Sequence, residues 1–284
     1  MKQSVLLTSF IAGSLLLTAC GNDSSSDKKE NKTEETKQTV DLSKETEAYK
    51  AFTVDQIDHF VKDTEQFVNA FKAGDIAKAK EIYPKARMYF ERSEPVAESF
   101  GDLDPRIDAR LADMKAEGKT EEWSGYHKLE KALWEENTTK GYEATADQLL
   151  KDAKELRAKV DTAEVTPKLM LQGSIDLLNE VSTSKISGEE EIYSHTDLYD
   201  FKANIEGAEK IFELFKEKIS KKDDKLAQNI QKRFDNVNTL LKQHETPDGG
   251  YVSYEQLSKE DTKKLSEAVD QLGEPLSQMA IILE

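Results

Sequence analysis

The chain has one cysteine, at position 20, among 284 residues. An intramolecular disulfide is therefore excluded, and so is a site built from several thiolates. Stability has to come from a buried core. Histidine is scarce too, with four copies at positions 59, 127, 195 and 244. None stands in the His-Glu-x-x-His spacing through which many zinc peptidases hold their metal. The longest mostly apolar run, Val5 to Leu17, is too short to span a bilayer, which takes about 18 residues or more. No stretch alternates apolar and polar residues for long enough to form a sheet. Bases are outnumbered by acids, 40 to 56, giving a formal charge of −16. A surface this acidic repels phosphate backbones and anionic headgroups, which argues against nucleic acid and against lipid binding by the folded part. It attracts cations.

The N-terminal residues "MKQSVLLTSFIAGSLLLTAC" place one lysine before the apolar run and small residues after it, the pattern of an export signal. Leu17-Thr18-Ala19-Cys20 is similar to the lipobox of bacterial lipoproteins, in which cleavage leaves a diacylglycerol-modified cysteine as the new N-terminus. Residues 1–19 are thus expected to be a lipoprotein signal peptide and Cys20 a lipid anchor on the extracytoplasmic face of the cell membrane. From Gly21 to Glu47 only Val40 and Leu42 are large and apolar. Such a segment cannot offset its ordering entropy by burial, so residues 20–44 read as a solvated tether.

The remainder, 45–284, is helical in its periodicity. Tyr49, Phe52, Ile57, Phe60, Val61, Phe67, Val68 and Phe71 fall mostly three or four apart, the spacing of one buried stripe. Gly74-Asp75 ends that helix and caps another running towards Phe100, which Pro84 should kink or divide. Asp104-Pro105 reads as a cap with proline at the first helical position, starting a helix through Lys115. Further helices are expected at 120–135, along "TADQLLKDAKELRAKV", from Thr166-Pro167, and near 197–220, 223–244 and 254–282. The fold class is all-α, with about eight helices in two packed half-bundles, 45–165 and 166–284.

Four places could carry chemistry. His127 and Glu130 in "GYHKLEKALW" are spaced i, i+3, so on a helix they share a face and could ligate one ion. The competing reading is a pair packed at a helix surface. Glu91 and Glu94 in "YFERSEPVAE" have the same spacing, with Glu98 a turn further on, and like-charged carboxylates so placed repel unless a cation lies between them. Arg87 and Arg92 nearby allow ordinary surface ion pairs instead. Asp108 falls early in its helix, with Asp104 assigned to the cap. The acidic "GEEE" from Gly188 leads into "YSHTDLYDF", where His195 and Asp197 lie close in sequence. Paired acids and one imidazole in a helical bundle are how proteins build sites for iron and similar ions.

"YPKARMYFERSEPVAE", "DLDPRIDAR", "WSGYHKLEKALW" and "GEEEIYSHTDLYDF" together resemble the imelysin-like family, named for a peptidase, and within it the EfeO/EfeM-type lipoproteins of bacterial iron uptake. The resemblance extends from about residue 45 to the end. It implies two helical bundles with a metal site in the cleft between them, formed by Glu91, Glu94, Asp108, His127, Glu130 and one acid of the fourth motif, Glu190 or the competing Glu189. It implies iron, as Fe2+ or Fe3+, as the bound ion, with Zn2+ or Cu2+ as substitutes. A membrane iron permease and a haem-dependent (Dyp-type) peroxidase are the implied partners. Longer EfeO-type proteins carry a cupredoxin-like domain that is missing here, so no copper or electron-transfer role is carried over. The expectation is a monomeric iron-binding component and not an enzyme. The alternatives are a zinc-dependent metallopeptidase or a polysaccharide-binding module bridged by cations.

Overall fold

The computed structural model describes residues 40–283. The expected signal peptide, Cys20 and most of the tether lie outside the described residues. The described residues cluster as one compact unit. Among the described residues the structure is all-α, with ten α-helices and no strand, and only an isolated antiparallel bridge between Glu245 and Tyr251. None of the helices is long and apolar enough to cross a membrane.

Helix α1 (Ser43–Lys72) begins slightly before the expected start, because Leu42 already contributes to the core. Of its expected stripe, Tyr49, Ile57, Phe60, Phe67, Val68 and Phe71 are buried as the periodicity predicts, while Phe52 and Val61 are only partly buried at its edge. Asp75 caps α2 (Ile76–Glu91), accepting a hydrogen bond from the Lys78 amide at 3.0 Å. Pro84 sits inside α2 without dividing it. The chain tightens after Glu91 instead, into a 3-10 segment (Glu94–Phe100) containing Pro95.

The helix expected from Asp104 to Lys115 is two helices, α3 (Leu103–Asp108) and α4 (Leu111–Ala116), separated by Ala109 and Arg110 in extended conformation. Asp102, not Asp104, occupies the capping position. Asp104 is thereby released to face a cleft. The helix expected at 120–135 forms only as α5 (Tyr126–Trp134), after a 3-10 turn (Thr120–Glu122).

The rest of the chain forms α6 (Glu143–Val160), α7 (Pro167–Thr183), α8 (Asp197–Lys222), α9 (Asp224–Lys242) and α10 (Lys259–Leu283). Thr166 caps α7 as its position before proline predicts, accepting from the Leu169 amide at 3.1 Å. Helix α1 packs on α2 and α6, and α5 fits against α2 and α6. Helices α7, α8, α9 and α10 pack among themselves, and α2 lies against α8. One continuous apolar core joins all of them.

Candidate metal centre

Helix α2 buries Ala79, Tyr83, Ala86, Arg87, Phe90 and Glu91 on one stripe, so its core face carries an arginine and a glutamate where apolar residues would normally stand. The same happens on α8, where Asp197, Asp200 and Asn204 alternate with Leu198, Phe201 and Ala208 on the buried face. Because α2 and α8 pack together, these polar groups meet. Arg87 is therefore no surface partner, as its spacing from Glu91 had allowed. It is 1% exposed and reaches Glu91 Oε1 at 2.7 Å, Glu191 Oε1 at 2.7 Å and Asp200 Oδ2 at 3.5 Å, and it also pairs with Asp108. The Tyr83 and Tyr126 rings lie 5.9 and 5.8 Å from the guanidinium carbon. Burial disfavours the charge, but Asp108, Asp200 and Glu191 outweigh it and hold the guanidinium firmly protonated.

Helix α5 brings in His127 and Glu130, and its entry is set by Gly125. That residue has φ +84°, and a Cβ there would lie 2.2 Å from the Ile107 carbonyl oxygen. Only glycine permits so close an approach between the start of α5 and the end of α3. The approach puts Asp108, the last residue of α3, beside the imidazole. His127 and Glu130 are both buried, not paired at a helix surface.

The two ring nitrogens of His127 face different acids. Nδ1 lies 3.2 Å from Glu130 Oε2 and 3.9 Å from Glu191 Oε1. Nε2 lies 3.7 Å from Asp108 Oδ1 and 3.9 Å from Glu190 Oε1, and it is buried with no hydrogen-bond partner. Two groups of side chains could hold a metal ion, Asp108 with His127 and Glu190, and His127 with Glu130 and Glu191, each with its ligand atoms within 4.8 Å of one another. In the first group Asp108 Oδ1 also pairs with Arg87, and Glu190 Oε2 lies 3.3 Å from Arg110, so its carboxylates are shared with guanidinium groups while the imidazole Nε2 has no partner. In the second group the carboxylates of Glu130 and Glu191 already have partners. Glu191 Oε1 takes the Arg87 Nε contact and accepts from the Tyr83 hydroxyl at 3.2 Å. Glu130 Oε1 accepts the Tyr193 and Ser194 amides at 3.0 and 2.7 Å. Around a first-row ion with bonds near 2.1 Å, neighbouring ligand atoms sit roughly 3 to 3.5 Å apart, so Asp108 Oδ1 and Glu190 Oε1, at 3.7 and 3.9 Å from Nε2, would each have to close on the imidazole by less than about 1 Å.

The i, i+3 spacing allowed one ion shared by His127 and Glu130, and the two do fall in one candidate group, with Glu191. That group uses Nδ1, the ring nitrogen away from Asp108 and Glu190. Burial, reinforced by Arg87, lowers the basicity of His127 and keeps the ring neutral, as a ligand must be. Burial also raises the Glu130 carboxyl to about 7, against the pull of the Ser194 and Tyr193 amides.

Glu91 and Glu94 do not reach His127. They converge on Lys185, whose ammonium is 3.3 Å from Glu91 Oε2 and 3.1 Å from Glu94 Oε2, and on Asn204, whose amide donates to the same two oxygens at 2.9 and 2.6 Å. Burial works against the Glu91 charge, yet Lys185 and Arg87 hold its carboxyl well below the usual carboxylate range. Among the three acids after Gly188, Glu189 is 48% exposed while Glu190 and Glu191 are buried. His195 and Asp197 separate. His195 turns to Glu255 at 3.7 Å, whereas Asp197 is buried and accepts the Glu191 amide at 3.1 Å.

Two cavities of about 250 Å³ each share Glu190 and Arg110 in their walls. One also carries His127, Glu130 and Ile192; the other carries Glu94, Asp104, Asp108 and Glu180. Burial and the nearby Asp108 push Asp104 up to about 7. Lys185, Asp200 and Asn204 were not singled out from the sequence, Arg87 was read there only as a surface ion-pair partner, and Glu191 only as part of the acidic run after Gly188. The available signal was a charged or amide side chain at a position of the apolar stripe.

The imelysin family profile matches residues 45–279. An Efem/EfeO family lipoprotein of Staphylococcus haemolyticus (strain JCSC1435) is 61% identical over 288 residues, covering 98% of this chain and 99% of that protein. Efem/EfeO family lipoproteins of Staphylococcus aureus strains MSSA476 and NCTC 8325 are each 62% identical over 246 residues, 86% of this chain and 87% of theirs.

Proposed function

The chain belongs to the imelysin family, and on that premise we propose that it is a lipid-anchored extracytoplasmic protein that captures iron and delivers it to a membrane permease. The observation that carries this reading is the unpartnered, buried Nε2 of His127 facing Asp108 and Glu190. A buried polar atom without a partner is costly, and a cation held by the imidazole and two carboxylates would satisfy it. Two oxygen donors and one nitrogen suit iron, and zinc or copper could substitute. In this assignment Asp108, His127 and Glu190 ligate. Glu130 accepts from Nδ1 and fixes the ring, the usual role of a carboxylate behind a metal-bound histidine.

The names of the relatives at about 61% identity support an iron-uptake setting. The lipobox cysteine, Cys20, would tether the domain to the membrane. A permease and a haem-dependent peroxidase complete the proposed system as partners.

Calorimetry with Fe(II), Fe(III), Mn(II), Zn(II) and Cu(II) on the purified chain and on His127→Ala tests the reading. Iron affinity that is the same in both proteins refutes it. The peptidase alternative predicts zinc-dependent turnover of a peptide that Glu130→Gln abolishes, and that result would displace iron carriage as the function.

A further inference from the structure

Lys185 is an unusual neighbour for a metal centre. It follows α7, is only 4% exposed, and its Nζ lies 3.1 Å from Glu94 Oε1 and Oε2, 3.3 Å from Glu91 Oε2 and 3.8 Å from Glu190 Oε1. Asn204 braces Glu91 and Glu94 from the α8 side. Three carboxylates with four oxygens converging on one point are the donor set that a hard divalent cation takes. Here a tethered ammonium fills it. Glu190 Oε1 is also the atom that faces His127 Nε2, at 3.9 Å, so a single carboxylate oxygen stands between the lysine and the vacant imidazole nitrogen.

We propose that the Lys185 ammonium is a built-in counter-ion occupying a second cation position, formed by Glu91, Glu94 and Glu190. In that position it limits the centre to one captured ion beside His127 and weakens the hold on it. The inference rests on the iron-capture reading for what the ion is for, and on the Lys185 geometry for the rest. A fixed positive charge on the far side of Glu190 draws electron density from that ligand and repels the incoming cation. Carboxylates that would otherwise need a second ion are already neutralised. A carrier gains from this, because an ion held by fewer free carboxylates is easier to hand on.

The experiment is equilibrium dialysis with metal analysis, using Mn(II) in air and Fe(II) without oxygen, on the wild-type chain, Lys185→Met and Lys185→Arg. Wild type should take up one ion. Lys185→Met, which keeps the stem's bulk and removes the charge, should take up two, or one held about 10-fold tighter or more. Lys185→Arg should stay within about threefold of wild type, since it keeps the charge. The proposal is overturned by a Lys185→Met chain with wild-type stoichiometry and affinity, or by a Lys185→Arg chain that gains the second ion. If Lys185→Met is too unstable for dialysis, Mn(II) should raise its melting temperature more than it raises that of wild type; no greater rise overturns the proposal. A His127-dependent ion in wild type with no change in Lys185→Met sinks this inference and leaves iron capture standing. A wild-type chain that binds no ion while Lys185→Met binds one does the reverse. No binding by either chain sinks both.

Discussion

Replacing Arg87 with methionine should destabilise the metal-free protein more than any other single change at the centre. The guanidinium is 1% exposed and serves Glu91, Asp108, Glu191 and Asp200 together. Methionine fills most of the volume, so the loss is electrostatic rather than a cavity. Removing one member of a buried ion network costs about 3 to 5 kcal/mol, because the remaining charges are left in a low-dielectric interior. For a domain of this size each kcal/mol lowers the melting temperature by about 2 to 4 °C, so the expected drop is roughly 6 to 20 °C at neutral pH. Acidification should narrow the gap. Burial already pushes the Glu191 and Asp200 carboxyls well above their ordinary values even with Arg87 present, and without it they rise further. The folded variant then binds more protons than its unfolded chain between their ordinary pKa near 4 and the raised folded values. Wild type shares the lower part of that gain, so the variant's stability relative to wild type improves as pH falls from its own folded values to the lower ones of wild type and is constant below them. Circular dichroism melts at pH 7 and pH 5 measure both effects. A variant melting within about 3 °C of wild type at neutral pH, or a gap that widens in acid, would show that Arg87 is not the counter-ion of this cluster.

Asp108→Asn and Glu190→Gln should each weaken iron binding by about tenfold or more, whereas the exposed Glu189→Gln should leave it within about twofold; calorimetry separates the two acids that the sequence left in competition. Below pH about 7 a proton resides on Glu130, so ion capture must expel it, and the logarithm of the affinity should rise by about one per pH unit up to that point and then flatten. A flat profile from pH 5 to 8 would remove Glu130 from the centre. Gly125→Ala should cost more than about 1 kcal/mol, since the residue holds φ +84° against the Ile107 carbonyl. It should also reduce iron affinity although no ligand is changed, which paired melts and titrations would detect.

The helical class, the buried stripe of α1, the Thr166 cap and the family could all be read from the chain, because they depend on periodicity, on local capping chemistry and on motifs contiguous in sequence. His127 was singled out for the same reason, through its spacing from Glu130. The break between α3 and α4 was not, since nothing in "DLDPRIDAR" signals that Ala109 and Arg110 will extend, and Asp104 was consequently assigned to a cap it does not make. Spacing also could not divide the acids. Glu91 and Glu94 share the i, i+3 relation of His127 and Glu130, yet the packing of α2 against α8 and the segment after α7 give them to Lys185 and Asn204. Sequence by itself determined which residue types were available and on which helices they would lie. Apart from His127 with Glu130 inside α5 and Arg87 with Glu91 inside α2, which carboxylate faces the imidazole, which faces an ammonium and which faces a guanidinium was decided by the tertiary structure, because those pairings join residues far apart in the chain, and electrostatic partners are chosen by distance in space.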